Sequence, residues 1–167
     1  LLFLDGSADK IGIGTSTPSA KLEAVIAAET PQMEEVFYEV DYHDYTFTVP
    51  NGVTSIKVEV WGKGGRGGGT GNDANINYCG GGGGAYSSKT LTTTPGTEYT
   101  IDSNSSGVYF GSTSTVYAEN GEDGGYYSAG SGGSGSSGYG DIRYSGGDGS
   151  CSTSQGGGGG GAAGPDG

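Results

Sequence analysis

Glycine is distributed unevenly along this chain of 167 residues, and that constrains it most: of 39 glycines, only Gly6, Gly12, Gly14 and Gly52 precede Gly62. Two blocks carry the extremes. Cys79 is followed at once by glycines 80–84, and Cys151-Ser152-Thr153-Ser154-Gln155 by glycines 156–161. Glycine loses more backbone entropy on folding than any other residue. A segment this rich in it stays disordered unless its backbones pack closely enough to offset the loss. No strict Gly-X-Y period runs through the tracts, which excludes a collagen triple helix. A polyproline II backbone rises about 3.1 Å per residue with three residues per turn, so six glycines make a rod roughly 19 Å long. Without Cβ atoms such rods can lie side by side, each N–H finding a carbonyl on a neighbour. Flanking strand patterns, interrupting Tyr and Asn residues and the two matched Cys-then-glycine blocks predict order: 79–85 and 151–162 as two packed rods, with recognition assigned to the loops beside them.

The strand patterns lie mainly in the middle of the chain. Val36, Tyr38, Val40 and Tyr42 share a two-residue period. Tyr45, Phe47 and Val49 follow, then the turn Pro50-Asn51-Gly52, then Ile56, Val58 and Val60 alternating with Lys57, Glu59 and Trp61. The two runs flanking the turn read as an antiparallel pair. Further strands are predicted at 85–93, 98–101 and 115–118, with Pro95-Gly96 turning between the first two. The expected fold class is therefore all-β: a small antiparallel β-sandwich with packed glycine-rich polyproline II segments, preceded by a short β segment. Residues 1–35 are expected to form that segment and a linker, and residues 36–167 the glycine-rich head. Leu2 and Leu4, the Asp5-Gly6 turn, and Ile11 and Ile13 make short strands, too few to bury both faces alone. Residues 24–28 fit a helical turn or a strand equally. Thr30-Pro31 with Glu34-Glu35 reads either as a helix start or as plain linker. The chain begins at Leu1 and stops just past a glycine run, so it is expected to be a piece of a longer polypeptide or to lack its ends.

Charge and motifs exclude several functions. The net charge is −12, the wrong sign for gripping a nucleic acid backbone. No apolar run reaches membrane-spanning length. Gly62-Lys63-Gly64-Gly65-Arg66-Gly67 matches G-x-G-x-x-G, but Gly-Gly-Thr-Gly-Asn-Asp follows it and cannot supply the helix that would hold pyrophosphate. His43, the single histidine, reads as a strand residue between Tyr42 and Asp44. Two Cys and one His make no standard zinc site without carboxylates, and Glu122-Asp123 lacks the ligand spacing of a calcium loop. No enzyme activity, cofactor or metal is expected. The parallel placement of Cys79 and Cys151 points to a disulfide between them, with two separate thiols as the alternative in a reducing compartment.

Tyrosine offers the binding chemistry. Of 12 tyrosines, Tyr78, Tyr126, Tyr127, Tyr139 and Tyr144 interrupt the glycine tracts. Exposed Tyr among Gly, Ser and Asn makes an adaptable contact surface, as in antibody loops. The alternative is that these rings cap the rods or pack on the sandwich. The predicted receptor-binding set is Asn72, Asp73, Asn75, Asn77, Tyr78, Tyr126, Tyr127, Tyr139, Arg143 and Tyr144: amides and carboxylates to hydrogen-bond, rings to stack, and Arg143 to pair with an anion.

Two stretches resemble known proteins. Asp5 to Glu23, with its Ile11-Gly12-Ile13-Gly14-Thr15-Ser16-Thr17-Pro18 core, resembles the repeat that ends many bacteriophage tail-fibre shafts. The resemblance implies that residues 1–35 are a fibre-stalk end and linker, a β-stalk segment preceding the head, with a homotrimer of interwoven strands through the stalk. The stretch from Tyr45 through Val49-Pro50-Asn51-Gly52-Val53, Val58-Glu59-Val60-Trp61-Gly62 and 80–86 to Thr94-Pro95-Gly96-Thr97-Glu98-Tyr99-Thr100-Ile101 is similar to the glycine-rich domain of phage tail and bacterial surface proteins. That resemblance implies layered rods whose distal loops touch a host receptor, and makes 72–78 a variable tip. Together they predict a non-enzymatic receptor-binding head on a virion tail fibre, extracellular, contacting a host cell-surface glycan or protein, without nucleic acid or membrane insertion. A structural subunit of an extracellular or viral filament is the alternative. An ice-binding face would require a strict three-residue Thr/Ala/Gly period, which the sequence lacks.

Overall fold

The computed structural model describes the backbone of residues 2–5, 10–13 and 22–24, and residues 44–69, 78–152 and 156–167 in full. The readings made for residues 25–28, Thr30-Pro31, 36–42, His43 and 72–77 lie outside these residues. The chain divides into two compact units, 1–34 and 35–167. In the first, β1 (Leu2–Asp5) pairs antiparallel with β2 (Lys10–Ile13), and β2 pairs parallel with β3 (Leu22–Ala24).

Every element among the described residues is a strand, and in the second unit all pairings are antiparallel. One sheet has the order β10-β9-β8-β4, from Val116–Glu119, Gly107–Phe110, Glu98–Ser103 and Tyr45–Thr48. Another has the order β11-β7-β5, from Ile142–Tyr144, Tyr86–Thr92 and Ser55–Trp61. A two-residue pair joins β6 (Tyr78–Cys79) to β12 (Cys151–Ser152). The alternation in β5 turns Val58 and Val60 inward and leaves Lys57 and Trp61 exposed. Val58 and Val60 meet Ile101, Phe110, Val116 and Ala118 from the facing sheet, as in a small β-sandwich. Fully burying a Val, Ile or Phe side chain contributes about 1.5–3 kcal/mol. Tyr99 stacks on Phe110 at 4.8 Å between ring centroids, and Phe47 tilts against it at 5.9 Å.

Pro50-Asn51-Gly52 does not make the antiparallel pair that the strand pattern predicted. β4 pairs with β8 and β5 with β7, so Pro50-Asn51-Gly52 carries the chain from one sheet to the other, and Pro95-Gly96 carries it back. Both turns use a glycine at positive φ, Gly52 at 83° and Gly96 at 81°, where only glycine sits without strain. They are laced together by Val49 N–H to Thr97 O, Gly96 N–H to Val49 O and Thr93 N–H to Thr54 O, at 2.8–2.9 Å. Strands β9 and β11 had no clear sequence pattern.

The glycine tracts extend from this sandwich as a bundle of rods. At the centre runs 80–85, buried throughout. Its hydrogen bonds repeat every three residues, the period of polyproline II. Ala85, Gly82 and Cys79 donate N–H to Glu119, Glu122 and Gly125, while their carbonyls accept from Gly62, Gly65 and Gly68. Gly80 and Gly83 donate to Ser150 and Gly147 and accept from Gly130 and Gly133. The carbonyls of Tyr78, Gly81 and Gly84 accept from Gly157, Gly160 and Ala163. Five segments therefore surround the central rod among the described residues: 62–68, 119–125 and 146–150 antiparallel to it, 130–133 and 157–163 parallel to it. The two Cys-then-glycine blocks thus lie as parallel neighbours. The packing is too close for side chains. A Cβ added at Gly82 would lie 1.9 Å from Ser131 O, and one at Gly83 would lie 1.9 Å from Gly161 O.

Candidate functional site

The rods have two ends, and the tyrosines sort between them. Trp61 closes β5, Tyr86 opens β7 and Glu119 closes β10, so one end of the bundle is fixed in the sandwich. At the other end Gly68, Cys79, Gly125, Ser150 and Gly157 lie at one level, joined by their hydrogen bonds. Seven residues of central rod separate the ends, roughly 20 Å at polyproline II rise.

The distal end carries Tyr78, Tyr126 and Tyr127. Cys79 and Cys151 form a disulfide here, with an S–S distance of 2.05 Å, tying the start of the central rod to the β12 strand beside it. Tyr126 bridges to Tyr78, their rings 5.6 Å apart and tilted by 60°. A turn closed by Gly125 N–H to Ser128 O at 2.8 Å carries Tyr126 and Tyr127, which are 64% and 61% exposed. Tyr127 has φ 62°, the single non-glycine residue at positive φ among the described residues. A bulky side chain in that region is strained, and such strain persists only where the surrounding structure enforces it. Next along the rods, Asp123 Oδ1 accepts the Arg66 N–H at 2.6 Å. The carboxylate of the Glu122-Asp123 pair is thereby a cap on a neighbouring rod.

The sandwich end carries Tyr139, Arg143 and Tyr144, together with an aromatic ladder that sequence reasoning left out. Trp61, Tyr86 and Tyr144 lie opposite one another across β5, β7 and β11. Ring centroids are 5.2 Å apart for Trp61–Tyr86 and 6.3 Å for Tyr86–Tyr144, the second pair stacked. Tyr86 is buried beneath its exposed neighbours, and its hydroxyl donates a short hydrogen bond to Glu59 Oε1. That bond, aided by Lys57 at 3.1 Å, holds the Glu59 carboxyl below its ordinary range. Burial, and then the Glu59 carboxylate, push the Tyr86 phenol above its ordinary value. Arg143 Nη1 donates to Gly138 O at 2.9 Å, which commits part of the guanidinium to holding the 138–143 turn. Lys89 Nζ sits 4.9 Å from the centroid of the Tyr139 ring. The signal for Trp61 was present in the sequence, as the last outward residue of the Lys57, Glu59, Trp61 alternation.

The predicted residues therefore form two groups. The structure brings Tyr78, Tyr126 and Tyr127 together at the stapled tip, and places Tyr139, Arg143 and Tyr144 at the opposite end. Asn72, Asp73, Asn75 and Asn77 lie outside the described residues. Among those described, no group of three or more His, Cys, Asp and Glu side chains is arranged to hold a metal ion. No helix among the described residues is long and apolar enough to cross a membrane.

The family profile described as a glycine-rich domain matches residues 40–167. No curated protein and no solved structure matches the chain.

Proposed function

The chain belongs to the glycine-rich domain family, and on that premise we propose that it is a non-enzymatic adhesive head of the bacteriophage tail-fibre type, whose rod tip contacts a host cell-surface glycan or protein. The single observation that carries this reading is the tip: two adjacent, largely exposed tyrosine rings, one held at positive φ, on a rod end stapled by Cys79–Cys151. Rigid aromatic anchors contribute contact area at low entropic cost, and their flat faces suit a sugar ring or an apolar peptide patch. Residues 1–35 would supply the trimeric stalk, placing the head on a virion, outside the cell. The test is attachment of the purified fluorescent chain to a panel of bacterial strains and to a glycan array. Tyr126→Ala with Tyr127→Ala is expected to weaken binding about tenfold or more, the loss typical of central aromatic contacts. Trp61→Ala with Tyr144→Ala is expected to leave attachment unchanged. Unchanged attachment in the first variant contradicts the tip as the contact surface.

One observation favours a second reading, a structural subunit of an extracellular or viral filament. The outer face of 62–68 leaves the backbone groups of Gly64 and Gly67 exposed and unpaired among the described residues. Electron microscopy separates the two readings: discrete short particles belong to an adhesin, open-ended polymers to a filament.

A further inference from the structure

Two asparagines of the chain are followed directly by glycine, in Asn51-Gly52 and Asn120-Gly121. In that setting an asparagine can react with its own main chain, because no side chain on the next residue shields the N–H. The fold treats the two sites in opposite ways. Asn120 is locked. Its Oδ1 accepts the Lys63 N–H at 2.7 Å, and its Nδ2 donates to Asn104 O at 3.3 Å. The N–H of Gly121 is spent on Lys63 O at 2.8 Å. Gly121 is also packed against the central rod, where an added Cβ would lie 2.2 Å from Gly82 O.

Asn51 is free of every one of these restraints. Asn51 and Gly52 are exposed, and neither the Asn51 side chain nor the Gly52 N–H has a hydrogen-bond partner among the described residues. A Cβ at Gly52 would have nothing within 4 Å. One bond closes the turn, Val53 N–H to Pro50 O, and at 3.2 Å it is long. The turn is of type II, which requires positive φ at its third residue. Gly52 supplies it at 83°. The conformation that carries the chain between the sheets therefore demands glycine at the position where glycine leaves the nitrogen most open to reaction.

We infer that Asn51 is a site of spontaneous deamidation, and that the crossing between the two sheets ages through it. The main-chain nitrogen of Gly52 gives up its proton to solvent base and attacks Cγ of Asn51. The N–Cγ bond forms and the Cγ–Nδ2 bond breaks. Nδ2 takes up a proton from solvent and leaves as ammonia, and a cyclic imide remains. Water then opens one of the two C–N bonds of the imide. Opening at Cγ leaves aspartate. Opening at the main-chain carbonyl leaves isoaspartate, whose backbone runs through Cβ and Cγ. Either product adds a negative charge to the turn. Isoaspartate also lengthens the main chain by a methylene between Val49 and Thr54. These two residues hold the neighbouring crossing, through Val49 N–H to Thr97 O, Gly96 N–H to Val49 O and Thr93 N–H to Thr54 O. Val49 is buried, so the added length is taken up by the bonds that lace the crossings together.

The test is incubation of the purified full chain in mildly alkaline buffer, then trypsin digestion and mass spectrometry. Cleavage after Lys21 and Lys57 gives the peptide 22–57, in which Asn51 is the sole asparagine, and cleavage after Lys89 and Arg143 gives 90–143, which contains Asn120. Acid at Asn51, with isoaspartate among the products, is expected to accumulate about tenfold or more faster than acid at Asn120, where the bonds to Lys63 and Asn104 must break first. In guanidinium the two rates converge, because the unfolded chain presents the same dipeptide twice. Equal rates in the folded chain, or faster reaction at Asn120, would overturn the inference, as would a ratio that survives unfolding. The isoaspartate form is expected to unfold at a lower denaturant concentration than Asn51→Asp, which carries the charge on an unchanged backbone. Equal midpoints would overturn the ageing of the crossing. None of these readouts involves the tip, so they stand or fall apart from the adhesive reading.

Discussion

Residue by residue, the bundle divides glycines into those that the packing requires and those that it does not. At Gly83 an added methyl would enter the backbone of 157–163, with Gly161 O at 1.9 Å, and the collision is with atoms that hold three-residue hydrogen bonds of their own. Gly83→Ala is expected to destabilise the head by about 3 kcal/mol or more, the upper end of overpacking costs. Gly161, with nothing within 4 Å of its Cβ position, accepts alanine within about 0.5 kcal/mol. Chemical denaturation of the pair measures the difference directly, and equal stabilities would contradict the packed bundle. Ser87 makes the opposite case. Its Oγ is buried with no hydrogen-bond partner among the described residues, so Ser87→Ala is expected to raise stability by about 1 kcal/mol in the same measurement. Neither contrast is written in the sequence, where one glycine in a run looks like the next and a serine in a strand looks like any other.

Among the elements, the outcome depended on whether side chains or backbones carried the information. Strand β5 was legible because Ile56, Val58 and Val60 alternate with polar or aromatic neighbours, and one buried face enforces that alternation. Its partner was not legible. Pro50-Asn51-Gly52 specifies a tight turn, but the turn chemistry is the same whether the chain doubles back in one sheet or crosses to the other. Strand β11 carries just three residues amid Gly and Ser, without a full alternation to detect. The tie between the rods is itself a device at this level. Cys79 and Cys151 are 72 residues apart in the chain, and closing a loop of that length contributes about 4 kcal/mol by the chain-entropy estimate. Cys79→Ser with Cys151→Ser is expected to lower the unfolding free energy by about 2–4 kcal/mol, measured in denaturant, with tip order lost first. The ladder across β5, β7 and β11 sets a pH limit. Tyr86 holds its proton more tightly folded than unfolded, because burial and then Glu59 disfavour the phenolate. Its contribution is complete below the ordinary value of 10.0 and is lost as pH rises through the folded value. Thermal midpoints are therefore expected to fall with alkaline pH, and to fall less steeply in Tyr86→Phe. Identical slopes would rule out Tyr86 as the titrating group.

Across the glycine-rich head as a whole, the sandwich fixes one end of the rods and the disulfide the other, and the candidate contact surface is the stapled end. The division into strands and glycine rods was legible from the concentration of glycine after Gly62 and from the two Cys-then-glycine blocks. The grouping of the tyrosines was not. Tyr126 and Tyr144 have similar Gly and Ser surroundings in sequence, and only the course of the rods sends one to the tip and the other to the sandwich. The aromatic contact of Trp61 with Tyr86 escaped for a related reason, since it depends on a cross-strand register that the sequence leaves open. The tip requires the glycine-rich half to be an ordered bundle around 80–85, and residue-resolved amide hydrogen exchange is the sharpest probe of that order. A three-residue rhythm is expected along the outer rods: the N–H groups of Gly62, Gly65 and Gly68, and of Gly157, Gly160 and Ala163, bonded to the central rod, exchange orders of magnitude more slowly than unstructured chain. Gly82, Gly83 and Ala85 in the central rod are protected with them. Exchange of all these amides at the rate of an unfolded chain would contradict the bundle.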